Sequence, residues 1–256
     1  MISELYLGWI LELMLVFSRV SALFLMTPVL NFTRLPVMVR VLLAMALSIW
    51  LVQVTGLGSG MALSPRVLDD SFLLLIVGEV LNGAAMAFGL LFAFAAFQFA
   101  GRVIDYQIGL AVANQIDPVT NAQAPLVGTV LGMMGAIYFI VSGGFGIVLT
   151  ALKDNLLAYP PGQIGFFTAV EPMLVSFGMM FTLAVLLIAP IIVVLFLVDI
   201  TMAFSARFMP QMNVFILSIP LKVFIGFVML ALSAVSIAPV LTRIFQEMIL
   251  YWREWF

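Results

Sequence analysis

The chain has 256 residues, of which 65% are hydrophobic and 9% charged, with a formal net charge of −2 and a mean hydropathy of +1.28. Soluble domains carry about 25% charged residues, so this composition excludes a water-soluble globule, and equally a disordered, collagen-like or disulfide-stapled chain. An integral membrane protein is the class that remains.

Cysteine and histidine are both absent, which removes thiolate and imidazole, the usual ligands of zinc, copper, haem and iron-sulfur centres. The same absence removes Ser-His and Cys-His nucleophilic pairs. No metal or other cofactor is expected, and Ser142 in Ser142-Gly143-Gly144 reads as part of a turn or close-packing element. Thinly spread charge offers no basic stripe to neutralise phosphates, so nucleic acid is not an expected partner. The first ionisable side chain in the sequence is Glu4, and no basic residue precedes the first apolar run; that run is expected to be a span and not a cleaved signal.

A bilayer core about 30 Å thick takes roughly 20 apolar residues in helix to cross. Six stretches of that size follow in order, over residues 5–30, 37–57, 71–101, 126–152, 172–198 and 214–241. Segments 31–36, 56–70, 105–125, 153–171 and 207–213 carry the Pro, Gly, Asn and Asp that interrupt helices. The basic residues Arg34, Arg40, Arg66 and Lys153 do not fix an orientation.

Several spans carry charges that a plain anchor avoids. Glu12 and Arg19 lie two helical turns apart on one face of the first segment. An ionised group at a helix centre costs roughly 2.5–3.5 kcal/mol on insertion scales, so that face must meet protein or water. Glu79 shares a stripe with Asn82, Gly83 and Met86; Gln98, Arg102 and Asp105 continue a polar seam; Asp199, Arg207 and Lys222 do the same for the last two segments. Such charges serve either as pairs holding helices together, the commoner use, or directly in conduction. Pro28, Pro36, Pro190, Pro210 and Pro220, with Pro239, are expected to break or bend helices, which requires neighbours to satisfy the freed backbone groups. Asp105 and Asp199 as an intramembrane aspartic dyad would need a Gly-x-Gly-Asp pattern that is missing.

The most informative passage reads Gly101-Arg102-Val103-Ile104-Asp105-Tyr106-Gln107-Ile108-Gly109-Leu110, then Ala113-Asn114-Gln115-Ile116-Asp117-Pro118, then Gln123-Ala124-Pro125-Leu126-Val127-Gly128. Arg19, Pro28-Val29-Leu30, Leu35-Pro36 and Arg40 precede it; Arg207-Phe208-Met209-Pro210-Gln211-Met212-Asn213 and Ile219-Pro220-Leu221-Lys222 follow. Together these resemble the FliR/SctT family of type III secretion export-gate proteins along nearly the whole chain. The order Ala189-Pro190, Gln211, Asn213, Pro220, Lys222 is in turn similar to the small hairpin protein FliQ, with Pro220 displaced by one position.

The resemblance implies an all-α membrane protein of broken helical hairpins, with a FliP-like part over 1–170 and a FliQ-like hairpin over 171–256. It implies a non-enzymatic component of the flagellar type III export gate, in the bacterial inner membrane at the flagellar basal body, lifted largely out of the bilayer on assembly. Its partners would be FliP, FliQ and FlhB, unfolded flagellar export substrates and membrane lipid. A plug in the loop at about 105–125 would comprise Gly109, Leu110, Val112, Asn114, Gln115, Ile116, Asp117 and Pro118; Val112 and Gln115 stand where enterobacterial relatives carry phenylalanines. Polar contacts between helices or subunits would come from Glu12, Arg19, Glu79, Arg102, Asp105, Gln107, Asp199, Arg207, Gln211, Asn213 and Lys222. A virulence-type export-gate subunit is the alternative within the family. A secondary transporter is the alternative outside it, but should show two corresponding halves, and none are visible.

Overall fold

The computed structural model describes residues 2–27, 36–57, 72–110, 125–208 and 214–256, with side chains from residue 8 in the first stretch and from 217 in the last. Among these there is no strand, and seven helices follow one another: α1 Ile2–Met26, α2 Val37–Thr55, α3 Phe72–Ile108, α4 Leu126–Val141, α5 Gly144–Ala158, α6 Phe166–Phe208 and α7 Val214–Trp255. Five of the described helices are long and apolar enough to cross a membrane, or six spans if the bent pair α4 and α5 counts as one. This is an all-α membrane protein.

The single span expected over 126–152 is two helices meeting at 70°. Gly143 supplies the corner with φ +75°, a left-handed conformation that costs a side-chain-bearing residue energy. Gly144 then presses on Phe139 so closely that a Cβ would sit 2.4 Å from the ring. Ser142-Gly143-Gly144 is thus the turn its composition suggested. The expected breaks at Pro190 and Pro220 do not occur: α6 runs through Pro190, and α7 through Pro220 and Pro239. In helices of 43 and 42 residues, each missing backbone donor is a local loss that long flanking helix can absorb. Pro36 sits at the N-cap of α2 with φ −56°, where its fixed dihedral suits a helix start. Pro28 and Pro210 lie outside the described residues.

Helices also extend beyond the apolar runs. α3 reaches Ile108 before Gly109, at φ +85°, ends it, so Asp105 and Gln107 are helical and not part of the loop expected from 105. The expected polar segment 153–171 shrinks to a turn over 159–165 between α5 and α6. Glu171 and Pro172 lie inside α6.

The chain packs as two compact units, one of residues 1–92, 139–177 and 248–256, the other of 93–138 and 178–247. In the first, α1 packs along α2, and α2 touches α5. Leu11 and Leu15 meet Phe72, Leu75 and Ile76 at the start of α3. In the second, Phe94, Phe97, Tyr138 and Phe245 form a ring cluster with centroids 5.5–6.1 Å apart, in the spacing favoured by aromatic pairs.

Candidate functional site

The first unit closes around a buried ion pair. Arg19 on α1 and Glu79 on α3 are both all but inaccessible, and Arg19 Nε donates to Glu79 Oε2 at 2.6 Å. Arg19 Nη1 also donates to Asn155 Oδ1 at 2.9 Å and to the Tyr159 carbonyl at 3.0 Å. The other Glu79 oxygen accepts the Gly162 N–H at 2.8 Å. One turn along α3, Asn82 accepts the Gly165 N–H at 3.0 Å and donates to the Gln163 carbonyl at 2.9 Å. Backbone groups of the 159–165 turn, which would otherwise be costly to bury, are thus satisfied by side chains of α1 and α3. Among the described residues, Arg19 Nη2 and Asn155 Nδ2 remain buried without a hydrogen bond.

Small residues make the approach feasible. At Gly83 a Cβ would lie 2.1 Å from the Arg19 carbonyl oxygen, so α1 and α3 touch backbone to backbone there. The stripe Glu79, Asn82, Gly83 and Met86 is therefore one contact face. Its lower end receives α7: the Tyr251 hydroxyl donates to the Ala85 carbonyl at 2.8 Å and Trp252 Nε1 to the Met86 carbonyl at 3.2 Å. Trp255 Nε1 donates to the Gly165 carbonyl at 2.9 Å, and the Tyr159 hydroxyl to the Trp255 carbonyl at 3.2 Å.

In the second unit, Asp105 near the end of α3 caps α4. Its carboxylate accepts the Val127 N–H at 3.1 and 3.2 Å and the Gly128 N–H at 3.4 Å, satisfying donors that the first helical turn leaves orphaned and opposing the positive end of the helix dipole. Gly101 meets Gly128 so closely that a Cβ would fall 2.1 Å from its Cα. Near this level Gln107 donates to Asp199 Oδ2 at 3.3 Å, and Asp199 on α6 forms an ion pair with Lys222 on α7. That pair is not sealed: the Lys222 and Asp199 side chains are 18% and 37% exposed. Asp105 and Asp199 each serve separate partners, as acceptors of hydrogen bonds and of an ion pair.

The structure thus brings together Arg19 with Glu79, Asp105 with the start of α4, and Gln107 with Asp199 and Lys222. Glu12 is buried on α1. Arg102 and Arg207 are exposed on α3 and in the last turn of α6. Gly109 and Leu110 are described; Val112, Asn114, Gln115, Ile116, Asp117, Pro118, Gln211 and Asn213 lie outside the described residues. Sequence reasoning missed Asn155, the contacts of the 159–165 turn and the aromatic end of α7. The run Tyr251-Trp252-Arg253-Glu254-Trp255-Phe256 was the available signal, since buried Tyr and Trp need acceptors for their polar tips.

Long apolar helices fastened by a buried ion pair and side-chain-to-backbone bonds define a multi-helix integral membrane protein, not a simple anchor. The chain belongs to the bacterial export proteins, family 1, which it matches over residues 10–248. It is 30% identical over 242 residues to the flagellar biosynthetic protein FliR of Bacillus subtilis, covering 91% of this chain and 90% of the relative. Flagellar biosynthetic protein FliR of Escherichia coli is 28% identical over 246 residues, 96% and 92% of the two chains. Yop proteins translocation protein T of Yersinia pestis is 29% identical over 230 residues, 87% and 85%.

Proposed function

We propose that the protein is a non-enzymatic subunit of the flagellar type III export gate in the bacterial inner membrane, where it joins FliP and FliQ, contacts FlhB and helps form and close the channel for unfolded flagellar substrates. The observation that carries this reading is similarity to flagellar FliR proteins over 90% or more of both chains. The polar contacts support it in kind. They hold helices together. The partly open Asp199–Lys222 pair suits a wall that faces either another subunit or water. On this reading the chain divides near Glu171-Pro172 into FliP-like and FliQ-like parts, and residues Gly109 to Pro118 close the lumen when no substrate is present.

Affinity purification from the native membrane tests the assignment. The chain should arrive with two other hydrophobic helical proteins in fixed ratio, and its deletion should abolish filaments. Solute uptake by the chain alone in liposomes would make it a transporter instead. The virulence-type reading, favoured by the similarity to Yop proteins translocation protein T, predicts that deletion spares filaments and stops effector secretion. For the closing loop, removal of residues 109–118 should leave assembly intact and let small ions leak; unchanged conductance would refute that role.

A further inference from the structure

We propose that a groove between α5 and the last turns of α7 binds phosphatidylethanolamine, with its headgroup between Asp154 and Arg253 and the start of an acyl chain over Gly143 and Gly146. The groove encloses about 440 Å³ and lies wholly within the first unit. Gly143 and Gly146 leave it open, because a Cβ at either would meet nothing within 4 Å. Ile147, Ile249 and Phe256 supply apolar lining, and Asp154 and Arg253 supply opposite charges. Both charged residues are exposed, and among the described residues neither forms an ion pair or hydrogen bond.

Gly143 and Asp154 are separated by eleven residues of helix, about 16 Å, so α5 gives the groove an apolar end and a charged end. An amphipathic ligand fits that gradient; a small polar solute would leave the apolar end wet. The two unpaired charges select the headgroup. A phosphate complements Arg253, as basic pockets between membrane helices commonly do for lipid phosphates, and a primary ammonium can donate to Asp154. Phosphatidylglycerol would satisfy Arg253 but offer Asp154 only a neutral hydroxyl, leaving its charge uncompensated. Phosphatidylcholine has no N–H to donate. The aromatic end of α7, locked by the Trp252 and Trp255 hydrogen bonds, holds one wall rigid.

The inference does not depend on the proposed function. It is tested by purifying the full-length protein in its native complex and measuring co-purifying lipids, per protein, by quantitative mass spectrometry. Phosphatidylethanolamine should be enriched over its share of the membrane. Arg253→Ala and Asp154→Ala should each lower that enrichment about fivefold, the scale of one charged contact near a membrane surface. Gly146→Leu, which fills the groove while favouring helix, should do the same with unfolding temperature retained. Unchanged enrichment in all three variants, equal enrichment of phosphatidylglycerol, or a protein whose co-purification is lost in these variants in place of the lipid would each overturn the proposal.

Discussion

Truncating Glu79 leaves the Arg19 guanidinium charged, buried and short of its main partner. Breaking a buried pair in this way costs about 3–5 kcal/mol, so Glu79→Ala should sharply lower both the yield and the unfolding temperature of the protein in detergent. Glu79→Gln keeps an acceptor for the Gly162 N–H and should fall between. The double variant Arg19→Met/Glu79→Met removes both charges, but leaves the Gly162 N–H and the Tyr159 carbonyl without side-chain partners at about 1–3 kcal/mol each; it should recover part of the loss only. A Glu79→Ala protein as stable as the parent would mean that the pair holds nothing together. Both charges were visible in the sequence as groups needing protein or water around them. Their pairing was not, because helical spacing relates only residues of one helix: it set Arg19 beside Glu12, whereas the observed partner is 60 positions away. Asn155 was hidden for another reason. Lys153-Asp154-Asn155 resembles a solvated loop, and only α5 continuing past it turns Asn155 inward.

At the scale of helices, the close approaches are set by glycine. Gly83 and Gly101 each face backbone atoms at a would-be Cβ distance of 2.1 Å, whereas Gly178 on α6 has nothing within 4 Å. Backbone cannot rotate aside as a side chain can, so Gly83→Ala and Gly101→Ala should separate α1 from α3 and α3 from α4, at the 1–3 kcal/mol typical of overpacking or more. Gly178→Ala should be neutral or slightly stabilising through helix propensity. Thermal unfolding of the three variants checks the order. Asp105→Ala should cost about 1 kcal/mol, as lost N-caps do, while Asp105→Asn, which keeps an acceptor, should cost less. Helix existence and approximate limits were legible from hydropathy alone, since 20-residue apolar runs have few other fates. Helix breaks were not. Proline looked decisive at 190 and 220 yet the helices continue, while the sharp corner falls at Gly143, where a positive φ and not a missing donor is the requirement.

For the molecule as a whole, burial is uneven: 61% of the apolar window of α3 is buried within the chain, against 33% for α6 and 22% for α2 and for α7. α6 shows the pattern residue by residue, with Ala184, Leu187, Ile188, Ile191 and Leu195 buried at helical spacing and Leu186, Val193, Phe196 and Phe204 at least half exposed. Lipid could cover such a face unaided, but it would also border the partly exposed Asp199–Lys222 pair, and charged groups are costly against hydrocarbon. Another subunit would cover both at lower cost. Because the chain has no cysteine, single-cysteine variants can separate these coverings. Leu186→Cys, Val193→Cys and Phe224→Cys should react readily with a small membrane-permeable maleimide when the chain is isolated in detergent, and at least tenfold more slowly in the purified complex. Ala184→Cys, fully buried within the chain, should be protected in both, which makes it the internal reference for folding. Equal labelling of the exposed positions before and after assembly would mean that α6 and α7 meet lipid there, and the need for a neighbouring subunit would then have to be sought on α2, the other sparsely buried span.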